Sequence, residues 1–168
     1  MDTLNLSVEA VAAMALRSAM TLSSANVAFS TGASYAGDTK FGLRHGTGTL
    51  QLPDGGVYEG SFEGNAAEGS GVLRFADGAE YRGEVSRGHR HGHGVFVKRG
   101  VGAFLHYTGG WRLGMRHGDG TLLYDEAGVA QYVGAWKDDQ RNGRGSMRYA
   151  SGSTYDGDFY ADRYAPWI

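Results

Sequence analysis

Three histidines alternate along Arg87-Gly88-His89-Arg90-His91-Gly92-His93. Imidazole nitrogen binds zinc well, so metal chemistry would arise here first. Two features weigh against it. The flanking glycines hold the cluster loosely, and His91 stands where His45 and His117 stand in equivalent stretches. A turn motif or surface cluster is the plainer reading. A second column is cationic: Arg44, Arg90, Arg116 and Arg141 recur at one position, and Ala67 interrupts them. The planar guanidinium fork suits carboxylates and phosphates, so such a ladder could grip an acidic protein or an anionic lipid. It could equally pair with neighbouring Asp or Glu, or stack on aromatic rings. There is no Gly-x-Ser-x-Gly elbow and no Gly-x-x-x-x-Gly-Lys-Ser/Thr phosphate loop. Neither catalysis nor a cofactor is expected.

The elements that position these columns follow from a repeat. Tyr followed two residues later by Gly occurs at Tyr35, Tyr58, Tyr81, Tyr107, Tyr132 and Tyr155, at spacings of 23, 23, 26, 25 and 23. Taking each Tyr as position 1, position 5 holds Thr39, Phe62, Val85, Trp111, Trp136 and Phe159. Positions 12 and 14 are both Gly in five copies, from Gly46 and Gly48 to Gly143 and Gly145. Position 16 is apolar, as Leu50, Leu73, Phe96, Leu122 and Met147. The Arg column is position 10.

Side chains alternate along a strand, so positions 1, 3 and 5 share one side, as do 14, 16 and 18 on the next strand. Each repeat is therefore one β-hairpin, linked to the next by turns such as Pro53-Asp54-Gly55 and Asp77-Gly78. A lone hairpin is marginal in water, but stacked hairpins share a continuous apolar row. The aromatic column (Tyr58, Tyr81, Tyr107, Trp111, Tyr132, Trp136) reads as core first. It reads second as the wall of a groove receiving a partner's helix or extended peptide. The expected fold is all-β: an elongated, twisted sheet of stacked antiparallel hairpins. The insertions at 98–102 and 125–128 are expected in loops.

The termini differ. Residues 7–20 read as a short helix with Ser7 as N-cap, capping the first hairpin or binding a partner, or else as part of a disordered or processed leader. Residues 1–33 are then an N-terminal helix and linker, 34–160 the array of five full repeats and a partial sixth, and 161–168 a cap or tail.

Composition agrees. Gly contributes 29 of 168 residues and Pro only 2, which excludes collagen, while 41% hydrophobic content excludes simple disorder. A net charge of −2 argues against a general nucleic-acid binder. There is no Cys, so neither disulfide nor thiolate chemistry is available, which fits the cytoplasm. No apolar run reaches the length of a membrane-spanning helix. The N-terminus is a poor secretory signal, and Met1-Asp2 is not a myristoylation start.

The pattern Tyr-x-Gly-x-aromatic, then Gly-x-Gly-x-apolar, resembles the MORN repeat. That resemblance implies a non-enzymatic scaffold. Residues 121–136 are similar to the slightly lengthened repeats of ciliary MORN proteins, including radial spoke heads. The implied partners are structural proteins of a cytoskeletal or axonemal assembly, with self-association, in the cytoskeleton and the axoneme of a cilium or flagellum. The alternative is a peripheral membrane tether using the Arg ladder on anionic phospholipid, which the near-neutral charge weakens.

Overall fold

The computed structural model describes residues 22–100 and 103–164. These build one antiparallel sheet of 13 strands, each hydrogen-bonded to its sequence neighbours. In chain order they are β1 (Ser23–Ala28), β2 (Ser34–Lys40), β3 (Leu43–Gln51), β4 (Val57–Glu63), β5 (Ala66–Arg74), β6 (Glu80–Ser86) and β7 (His89–Gly100). There follow β8 (Ala103–Arg112), β9 (Met115–Leu123), β10 (Gln131–Lys137), β11 (Gln140–Arg148), β12 (Thr154–Tyr160) and β13 (Arg163–Tyr164). At about 4.8 Å per strand the stack runs to roughly 60 Å.

Each repeat is a hairpin closed by two residues of positive φ, the signature of a type I′ turn. Phe41 and Gly42, Arg87 and Gly88, and Leu113 and Gly114 are examples. Asp139 and Asp162 take the second turn place in later repeats. Each of the five full hairpins also shifts register between positions 3 and 5. This bulge bends the sheet along one line. The bend lets a single layer bury Tyr81, Tyr107 and Tyr132 almost completely.

The two glycine columns serve different ends. At position 14 the tyrosine ring of the same hairpin lies flat on the glycine. A Cβ on Gly71, Gly94 or Gly145 would overlap the ring of Tyr58, Tyr81 or Tyr132. At position 12 the glycine has positive φ, from 55° at Gly92 to 97° at Gly143. Sterics of a side chain disfavour that region.

Position 1 is Tyr rather than Phe because of the bulge. There the ladder is interrupted, and the position-4 carbonyl accepts from the phenol. Tyr35 donates to the Asp38 carbonyl at 2.6 Å, Tyr81 to Glu84 at 2.6 Å, Tyr107 to Gly110 at 3.0 Å and Tyr132 to Ala135 at 2.9 Å. Tyr132→Phe keeps the ring but strands that carbonyl. It is expected to cost about 1 kcal/mol in a urea unfolding curve; no loss would remove the hydrogen bond from the account.

Two features depart from the sequence expectations. Residues 23–33 are not simply a linker. β1 pairs with β2, Ala25 opposite Gly37 and Val27 opposite Tyr35, as Gly48 and Leu50 oppose Gly60 and Tyr58 in the next repeat. The 29–33 loop closes through Phe29 N to Ala33 O and Gly32 N to Phe29 O, the same bonds that close loops 52–56, 75–79 and 149–153. Residues 23–33 are thus the second half of a degenerate repeat. The third-repeat insertion does not make a loose loop: it lengthens β7 and β8 through the pairs Lys98–Leu105, Arg99–Phe104 and Gly100–Ala103. Within the segment expected to be a cap or tail, β13 hydrogen-bonds to β12 and Tyr164 packs on Tyr155 with centroids 4.6 Å apart. The helix expected over residues 7–20 lies outside the described residues. The 125–128 insertion is a loop as expected, with Asp125 accepting from the amides of Val129 and Ala130.

Candidate functional site: the aromatic groove

The rings form a chain of edge-to-face contacts along the bend. Tyr81, Trp111, Tyr107, Trp136, Tyr132, Phe159 and Tyr155 follow one another with centroids 5.0–5.4 Å apart. Each position-5 ring is wedged between the tyrosine of its own repeat and that of the preceding one. Trp111 and Trp136 also donate their indole N–H to the Gly94 and Gly120 carbonyls of the previous repeat, both at 3.2 Å. Edge-to-face pairs add about 0.5–1.5 kcal/mol each beyond area burial. The column is therefore what couples one hairpin to the next.

The arginine ladder closes this row from above. Arg90 lies 4.1 Å from the Trp111 centroid and Arg116 4.2 Å from that of Trp136. Arg44 lies 5.6 Å from the Phe62 centroid and Arg141 5.1 Å from that of Phe159. Each arginine thus covers the position-5 ring of the following repeat. The turn of that repeat grips it in return. Asp139 accepts from the backbone N and the Nε of Arg116, and its carbonyl accepts from the guanidinium at 2.7 Å. Asp162 holds Arg141 in the same way. Arg90 finds only a carbonyl there, that of Gly114. Burial lowers its pKa below the ordinary guanidinium value, and Asp139 opposes this from a distance.

The aromatic residues singled out as partner contacts are placed deeper than a contact surface requires. Tyr81 and Tyr132 have no exposure, Tyr107 has 1%, and Tyr58, Trp111 and Trp136 have 4–5%. Packing against the bend claims their faces, so they are core. A partner could reach only ring edges. Tyr58 lines one groove cavity of about 340 Å³, and Tyr107 and Trp111 line a second of about 320 Å³. Arg44 lines the first, Arg116 the second, and Arg90 both. Sequence reasoning missed Leu50, Leu73 and Leu105 as cavity walls. Their signal was position 16 for the two former and the lengthened hairpin for Leu105.

Burial also fixes a pH limit. It pushes the phenols of Tyr81, Tyr107 and Tyr132 up to about 12. In the unfolded chain they ionise near 10. A pKa raised on folding gives stability that is intact below the unfolded value and lost as pH climbs through the folded one. The sheet is expected to unfold between about pH 10 and pH 12, with tyrosinate absorbance rising in step with loss of the β signal. Ionisation well before unfolding would mean that the rings are accessible.

The histidines do not form a centre. Among the described residues no three His, Asp or Glu side chains converge as metal ligands would. His117 Nδ1 instead lies 3.4 Å from Asp138.

The hairpin geometry and the matched residues agree on the family. The MORN repeat model matches residues 35–57, 58–80, 81–99, 107–126 and 132–154, well over half of the chain. The chain belongs to the MORN-repeat family. No curated protein matches it. MORN repeats are protein- and membrane-binding modules, generally without enzymatic activity. The matches begin at Tyr35, so the half-repeat at 23–33 extends this MORN array beyond them.

Proposed function

We propose that this protein is a non-enzymatic scaffold that holds structural proteins along its MORN groove, in a ciliary or cytoskeletal assembly such as an axonemal radial spoke. The observation that carries this reading is the pair of adjoining cavities on one continuous face, both floored by apolar side chains and both edged by Arg90. Such a face offers extended contact to a protein segment and no converging catalytic groups. The sheet beneath it is continuous in hydrogen bonding from β1 to β13, so contacts made at one repeat are held in register with those at another. The lipid alternative is weaker because Arg116 and Arg141 already donate to Asp139 and Asp162. The test is extraction of ciliated cells with non-ionic detergent. Retention with the axonemal or cytoskeletal pellet is expected. Complete release with the solubilised membrane would overturn the scaffold reading.

A further inference from the structure

The arginine ladder and the ring column fail together at one place. Every position-10 arginine covers an aromatic ring in the next repeat: Arg44 on Phe62, Arg90 on Trp111, Arg116 on Trp136, Arg141 on Phe159. The exception is Ala67, and the residue it should cover is Val85 rather than a ring. The edge-to-face chain breaks at the same point. Phe62 joins Tyr35 to Tyr58, and Trp111 begins a new run from Tyr81. Two large side chains are missing from neighbouring positions, and the space they would fill is the 340 Å³ cavity.

The walls of this cavity say what would fill it. Its floor is apolar: Leu50, Tyr58, Phe62, Leu73 and Val85. Its edge carries Arg44, Arg87 and Arg90, and none of its lining residues is acidic. Among the described residues none of these three guanidinium groups has a carboxylate within ion-pair distance, and the carboxylate bound to Arg87, that of Glu68, accepts from its backbone N–H at 2.9 Å. The neighbouring cavity differs, since Asp139 lines it. One repeat advances two strands, so Arg44 and Arg90 stand roughly 10 Å to either side of Ala67 along the stack. An extended segment covers that distance in about three residues.

We propose that this cavity is a docking pocket for an acidic peptide segment of a partner protein. One large apolar side chain of the segment takes the place left by Ala67 and Val85, and carboxylates on either side of it pair with Arg44 and with Arg90 or Arg87. The proposal rests on the scaffold reading of the groove and names the chemistry of one of its ligands. The pocket accepts the anchor because an apolar side chain seated there takes the partly exposed Leu50 and Leu73 out of water, and the guanidinium groups select for acidic flanks over basic ones.

Short synthetic Gly/Ser peptides with one central Trp and a Glu three residues to either side would be titrated against the full chain by fluorescence anisotropy. Controls carry Ala at the centre, or Lys in place of Glu. The Trp/Glu peptide is expected to bind, and the central Ala to weaken it by about thirtyfold, as loss of a buried aromatic anchor does. Lys flanks are expected to abolish binding. Two variants place here the residues found in other repeats, Ala67→Arg and Val85→Trp, and an unchanged urea midpoint checks that each still folds. Each fills the pocket and is expected to weaken the peptide by at least about tenfold. Unchanged binding in Ala67→Arg, or equal binding of the Lys-flanked peptide, would overturn the pocket. So would phosphatidylserine vesicles binding in an Ala67-dependent way while no peptide bound. The two readings separate cleanly. A chain retained in the cytoskeletal pellet that ignores the peptide loses the pocket and keeps the scaffold. A chain released with membranes that still takes the peptide does the reverse.

Discussion

Gly120→Ala is expected to lose about 3–4 kcal/mol of folding stability, whereas Gly118→Ala, two residues earlier in the same Gly-x-Gly, loses about 1 kcal/mol. The two glycines look alike in sequence, and their surroundings are opposite. A Cβ on Gly120 would collide with the phenol end of Tyr107. That ring is 1% exposed, is packed edge-on by Trp111 and Trp136, and is anchored through its hydroxyl to the Gly110 carbonyl. It cannot retreat without breaking those contacts. Overpacking and a stranded carbonyl are therefore both incurred. Gly118 has φ of 74° and nothing within 4 Å of the place its Cβ would take. Its substitution costs only the strain of a left-handed alanine. Urea unfolding of the two variants decides the matter. Equal losses would show that the position-14 glycine is kept for its backbone freedom and not for the ring above it.

Trp111→Ala is expected to cost about 4 kcal/mol and to split the unfolding transition in two. Trp111 meets Tyr81 at 5.3 Å and Tyr107 at 5.1 Å, donates to the Gly94 carbonyl and lies beneath Arg90. It is the main side-chain link between the third and fourth repeats on the buried face. Without it the β7–β8 ladder remains but a buried core side chain is lost, whereas at the break in the ring chain Val85 still fills its place at 5% exposure. Stacked repeats unfold as one unit only while the interfaces between them outweigh the instability of single hairpins. The prediction is a biphasic denaturant curve for Trp111→Ala. Trp111→Phe, which keeps a ring, is expected to stay monophasic with a loss of about 1 kcal/mol. A single transition with little loss in Trp111→Ala would mean that backbone pairing alone couples the repeats.

Much of the fold was legible because the repeat states its geometry many times over. Six tyrosines at near-constant spacing placed the buried strand face, and the Gly columns marked the hairpins. Burial of Tyr81, Tyr107 and Tyr132 follows from that register. What escaped notice was written in single copies. The half-repeat at 23–33 has Ser23 and Ala25 where the others have glycine, and its apolar marks are Val27 and Phe29 alone. The insertion at 98–102 contains two glycines and reads as a loop, yet cross-strand pairing of Lys98 and Arg99 lengthens the hairpin instead. The partnership between an arginine and the ring of the next repeat links residues some twenty positions apart. A column read down one position does not reveal it. In the fold the exceptions at Ala67 and Val85 meet in one cavity rather than standing as two unrelated substitutions.

The strand order carries a consequence for how the molecule comes into being. Among the described residues β2 to β12 each pair with the strand before and the strand after, and no strand pairs with one distant in sequence. Loop closure is therefore cheap at each step, and relative contact order is low for a β protein. During synthesis each hairpin can settle onto the last one completed as soon as its own turn leaves the ribosome. The unfinished end is then a single hairpin wide at any moment, which shortens the time that aromatic strands stay exposed to aggregation.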